Sequence, residues 1–221
     1  MIEIFDVQRP GELGDKIAMS PSRKSREGQK GIISCIDFSP DYAGIYAAGS
    51  YSQSVGLYDE ASNRLLLKLS GIEGGVTQVR FSLDGSLLFT ASRSSNVIRC
   101  WDIRETGNIL YTLPRAGNTN QRIHFDIDPS GRTLVTGDQD GKLLFYDIAT
   151  GEIADRSICA YEAHQDIVTA AAFNPVYPHL LATASGQRKY APGKNSQTID
   201  NTLRLWRLPG HYETHTYDIH A

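Results

Sequence analysis

VTQVRFSLDGSLLFTASRSSNVIRCWD, residues 76–102, reads as three short strands in succession. VTQVRFSLDG (76–85) is an apolar run ending in an Asp-Gly turn. LLFTAS (87–92) is a second short strand that closes in small residues, and VIRCWD (97–102) is a third, ending in an aromatic followed by Asp.

The same order recurs along the chain. First strands are IISCIDFSP (32–40), RIHFDIDPSG (122–131) and IVTAAAFNP (167–175); second strands are IYAAGS (45–50), TLVTGD (133–138) and LLATAS (180–185). Third strands are SVGLYD, LLFYD and LRLWR. The aromatics of the last position are Phe5, Tyr58, Trp101, Tyr146 and Trp206, spaced by 53, 43, 45 and 60 residues. Self-similarity at about 40 to 45 residues is the signature of a propeller, in which each four-stranded blade buries its faces only against its neighbours. LLLKL (65–69), ILYTL (109–113), EIADRSICA (152–160) and YETHTYDI (212–219) fit the outer strands. Ala47, Ala91, Gly137 and Ala184 let blades approach closely, while the aromatic of each third strand covers a sheet.

These elements, recurring together and in order over nearly the whole chain, resemble the WD-repeat β-propeller family. The expected fold is all-β: a remnant of an upstream blade over 1–19, a basic polar linker over 20–31, and four blades over 32–220 with a hairpin insertion at 186–199. IEIFDV directly after Met1 reads as a third strand without its first two, so an incomplete ring is expected, from a short isoform, an incomplete gene model or a fragment. A complete small propeller is the alternative.

Composition narrows the function. Net charge is −3 in 221 residues, which argues against bulk electrostatic binding of nucleic acid and leaves only local contact. Cys35, Cys100 and Cys159 sit in apolar runs with no metal-ligand spacing, and read as reduced, buried and intracellular. No apolar run is long enough for a membrane span, and no signal peptide is recognisable. Gly-rich phosphate loops, nucleophile triads and paired His ligands are missing at recognised spacings, so neither catalysis nor a cofactor or metal is expected.

His164 in the turn EAHQD invites a catalytic reading. The resemblance implies a structural one, in which His164, Thr183 or Ser185, Asp200 and Trp206 share hydrogen bonds that fix the blade. Asp140 takes the Asp place in the preceding repeat beside its aromatic Tyr146; Ser95 and Ser52 replace it earlier, leaving the network around Trp101 incomplete.

Three segments are candidates for RNA contact. SPSRKSREGQK (20–30) gathers Arg23, Lys24, Arg26 and Lys30, either solvated or against a phosphate backbone. The insertion carries Gln187, Arg188, Lys189, Tyr190 and Lys194, where cations, an amide and a stacking aromatic lie close together; a plain surface loop is the alternative. Asn120, Gln121 and Arg122 stand where a repeat would carry its Gly-His turn, although Arg122 could equally be a structural cation bonded to Asp126 or Asp128.

GQKGIISCIDFSP, GSYSQSVGLYD, GGVTQVRFSLDG, TNQRIHFDIDPSG and LLATASGQR are similar to segments of the telomerase Cajal body family of WD-repeat proteins, over roughly residues 28–206. TNQRI and ATASGQR carry most of the likeness. It implies a nuclear adaptor, resident in Cajal bodies and also in cytoplasm, that binds CAB-box small Cajal-body RNA and telomerase-type RNA together with ribonucleoprotein proteins. No membrane or small-molecule substrate is implied. The resemblance marks Asn120, Gln121, Arg122, Gly186, Gln187 and Arg188, whereas the insertion is shorter and more basic than the family's. A general protein-interaction scaffold is the competing reading.

Overall fold

The computed structural model describes residues 1–22, 24–25, 27–104, 107–149, 159–186 and 200–208. Strands are the only regular elements among them, arranged in five antiparallel sheets. β1 (Ile2–Ile4) and β2 (Asp15–Ile17) form a hairpin. The first blade is β3 (Ile33–Phe38), β4 (Ile45–Ser50), β5 (Ser54–Asp59) and β6 (Leu65–Leu69); the second is β7 (Val76–Phe81), β8 (Leu87–Ser92), β9 (Val97–Asp102) and β10 (Asn108–Pro114). The third is β11 (Phe125–Ile127), β12 (Thr133–Gly137), β13 (Lys142–Asp147) and β14 (Cys159–Glu162). β15 (Val168–Phe173), β16 (Leu180–Ser185) and β17 (Leu203–Arg207) make the described part of the fourth.

Alternation along each strand sends one face to each neighbouring blade, and apolar clusters fill the spaces between blades. Trp101 packs with Leu57 and Val55 between blades one and two; Tyr146 packs with Phe89 and Leu113 between two and three; Trp206 packs against Val135 and Phe145 between three and four. Tyr58 faces the other way from blade one, onto Met19, Ile2 and Ile17, so the terminal hairpin occupies the flank where another blade would stack.

The inner strands are also tied to one another. The Asp37 carboxylate on β3 accepts from the Phe81 amide on β7 at 2.9 Å, and Asp126 on β11 accepts from Phe173 on β15 at 2.9 Å. Between them Gln78 on β7 donates to the Phe125 carbonyl at 2.7 Å and accepts from its amide at 3.0 Å. Gly137 shows how closely blades approach, because a Cβ there would lie 2.1 Å from the Val168 carbonyl oxygen.

Several expectations are corrected. Phe5 lies outside β1 and is 61% exposed, since the two-stranded hairpin gives it no sheet to cover. β11 begins at Phe125 rather than near 122, because the His124 amide is spent on the Thr169 carbonyl of the next blade. β14 runs on to Glu162, two residues past the expected end, pairing with β13 from Phe145 back to Lys142. Cys35 and Cys159 are only half-buried, Cys100 fully; all three are free thiols. The rest of the expected outer strand before Cys159, and the strand expected at 212–219, fall outside the described residues.

Candidate nucleic-acid interface

At one end of every blade the hairpin between second and third strands meets the connection that leads into the first strand. A single interior position there is filled differently in each blade. In the fourth, His164 Nε2 lies 2.8 Å from Thr183 Oγ1, which also accepts from Trp206 Nε1 at 2.8 Å, and His164 Nδ1 lies 3.2 Å from Asp200. With Trp206 donating to the Thr183 oxygen, the hydroxyl proton goes to His164 Nε2, which places the imidazole proton on Nδ1 toward Asp200. Burial holds His164 below its ordinary pKa, favouring the neutral ring, and the Thr202 hydroxyl holds the Asp200 carboxyl well below the usual carboxylate range. Ser185 stands outside this chain and donates to the Asp200 carbonyl at 3.0 Å.

The other three blades depart from that arrangement. In the third, Arg115 takes the His place, donating to Thr136 Oγ1 at 3.0 Å and to the Ile123 carbonyl at 2.9 Å, while the Tyr146 hydroxyl donates to the Pro114 carbonyl. Burial lowers its pKa to about 10, so it stays cationic at neutral pH. Asp140 is exposed; the buried carboxylate that accepts from the Asp140 and Lys142 amides is Asp138, two residues earlier. In the second, Trp101 Nε1 donates to Thr90 Oγ1 at 2.9 Å, but Ile72 fills the His place and adds no polar group. In the first, Gln29 is buried and donates to the Ala48 and Ser54 carbonyls at 2.8 and 2.9 Å, while the Tyr58 hydroxyl donates to its amide oxygen at 3.0 Å.

At this same end lie Asn120, Gln121 and Arg122, one of the segments expected to contact RNA. Asn120 is exposed, with Ser94 Oγ 3.4 Å from its amide oxygen. Gln121 Nε2 donates to the Gly186 carbonyl at 3.0 Å, which joins the TNQR segment to the start of the GQR segment. Arg122 does not pair with Asp126, which faces Arg80 at 3.3 Å, nor with Asp128, which accepts from Ser130, Arg132 and Thr133. Instead Arg122 Nη2 donates to the Tyr51 hydroxyl at 2.7 Å. Arg93 Nη2 reaches the same hydroxyl at 2.9 Å, and its guanidinium lies over the Tyr51 ring, 4.3 Å from the centroid. Neither Tyr51 nor Arg93 stands out in the sequence, because they sit in hairpins of different repeats that only folding brings together. Partial burial and the charges of Arg122 and Arg115 hold His124 below its ordinary pKa. Arg23, Arg26, Gln187, Arg188, Lys189, Tyr190 and Lys194 lie outside the described residues.

Comparison with known proteins gives the chain its relatives. It is 39% identical over 199 residues to Telomerase Cajal body protein 1 of Mus musculus and 37% identical over 191 residues to that of Homo sapiens, alignments that cover 88% and 86% of the chain. Telomerase Cajal body protein 1 homolog of Drosophila melanogaster is 32% identical over 192 residues. The chain spans about a third of the length of these curated relatives, between 33% and 36%. A chain in the crystal structure of the mitotic checkpoint complex shares the fold, with a TM-score of 0.63 over 79% of this chain and 47% of that one at 20% identity. The WD domain, G-beta repeat pattern matches residues 21–59, 63–102, 107–147 and 155–207, in step with the four blades. On these repeats, the chain belongs to the WD domain, G-beta repeat family.

Proposed function

We propose that this chain is a non-enzymatic RNA-binding adaptor, one that recognises small Cajal-body RNAs of the CAB-box type, telomerase RNA among them, and directs their ribonucleoproteins to Cajal bodies in the nucleus. The observation that carries this reading is the Gln121 to Gly186 hydrogen bond. It sets Asn120, Gln121 and Arg122 beside the residue from which Gln187, Arg188, Lys189 and Tyr190 continue, so amides that read base edges and cations that hold phosphates start from one place. Likeness to Telomerase Cajal body protein 1 supports the cargo.

Cross-linking RNA to the purified chain and sequencing what is retained tests the proposal. Enrichment of small RNAs that share a CAB box is expected, and Arg122→Ala should reduce their retention while leaving the thermal midpoint unchanged. Retention of random transcripts alone would leave the scaffold reading.

A further inference from the structure

We propose that Tyr51, Arg93 and Arg122 form a clamp for a single phosphodiester of single-stranded RNA; the inference rests on the RNA-binding reading and names the point where the backbone is held. Three blades supply it. Tyr51 comes from the β4–β5 hairpin, Arg93 from the β8–β9 hairpin and Arg122 from the connection ahead of β11.

The chemistry of the cluster is one-sided. Two guanidiniums donate to one neutral phenolic oxygen, at 2.9 and 2.7 Å, which leaves the Tyr51 O–H proton to be donated elsewhere, and no acceptor for it occurs among the described residues. Arg93 Nε is buried and also lacks a partner there. None of the ion pairs among the described residues includes Arg93 or Arg122. Two positive charges and a set of spare donors, with no anion among them, call for a ligand that only accepts.

The clamp is also held in advance of its ligand. Stacking on Tyr51 fixes Arg93, and Arg122 is steadied by a second donation to the Ser34 carbonyl at 3.4 Å. The Gly74-Gly75 turn packs directly beneath, where a Cβ on Gly74 would lie 1.9 Å from the Arg93 carbonyl oxygen and one on Gly75 3.0 Å from the Tyr51 ring. Arginines that converge from two loops suit the tetrahedral oxygens of a phosphate better than a planar carboxylate, which prefers one parallel fork. Asn120, exposed beside Ser94, is placed to meet the adjoining base.

Titrating the full chain with a fluorescent single-stranded CAB-box RNA at several salt concentrations tests the clamp. Arg93→Gln and Arg122→Gln should each weaken binding several-fold and make the log–log salt slope shallower, and the double variant should lose about 0.7, the single-strand value for the one phosphate the two share. Tyr51→Phe keeps the ring and should lose less; Arg132→Gln, at the opposite end of its blade, should change nothing. Because a contact to backbone carries no sequence information, the loss should be equal on a scrambled RNA. Arg93→Lys, which keeps the charge, should recover part of the slope and so guards against a variant that fails only through misfolding. If the parent chain binds RNA and both Gln variants keep its affinity and slope, the clamp is overturned while the adaptor reading stands. If the parent chain binds no RNA, both fall. Binding of a polyglutamate peptide in place of RNA, with the same arginine dependence, would overturn the clamp by assigning it to protein carboxylates.

Discussion

Thr183 shows how much one hydroxyl can hold. It accepts from Trp206 and bonds His164, linking the third strand to the connection ahead of the first. Thr183→Val keeps the shape and leaves an indole N–H and an imidazole nitrogen buried without partners, which should cost about 1–3 kcal/mol. Urea unfolding measures it, with Thr183→Ser restoring most of the loss; a valine variant as stable as the parent would show the bonds to be idle. His164, Asp200 and Trp206 are legible in the sequence through the repeat, and the choice between Thr183 and Ser185 is not. It depends on which side chain turns into the blade, and Ser185 turns to the Asp200 carbonyl instead. Asp140 misleads for a related reason: the repeat marks a hairpin, but the carboxylate inside it is Asp138, two positions earlier.

Strands are the part of the fold most readable from the chain. β4, β8 and β16 fall where their small closing residues place them, β5 and β9 where a closing aromatic and Asp do, and β6 where the outer strand is expected, since these signals are local. β11 is shortened by something the local signal does not contain, a backbone bond from His124 into the next blade. Contact between blades is the force that edits the elements, and Gly137 is where it is tightest. Gly137→Ala pushes a methyl group against the Val168 carbonyl and should destabilise by about 1–3 kcal/mol through overpacking. Its thermal midpoint should fall, whereas Gly44→Ala, which meets no neighbouring atom but strains its own backbone at φ +68°, reports the strain cost alone. Equal losses in the two variants would show that the blades have room to yield.

Across the whole molecule, stacked blades share their interiors, and Cys100 can report when they part. It is fully buried between blades two and three, and burial pushes its thiol up to about 12. A maleimide should therefore label Cys35 and Cys159, both half-buried, well before Cys100. Equally fast labelling of all three would show that the blades separate readily in the native state. The Tyr51, Arg93 and Arg122 cluster is the least legible feature in the sequence, because its members lie 42 and 71 positions from Tyr51 and no motif joins them. Gln29, Ile72, Arg115 and His164 carry a different consequence. Each lies in the same repeat as the aromatic and second strand it fits, so a shuffled copy of the gene with two whole repeats exchanged would keep every tenant in its own room, whereas a crossover between the connection and the first strand of a repeat would evict it. The whole repeat is thus the smallest length of gene that can be traded without parting a fitted pair.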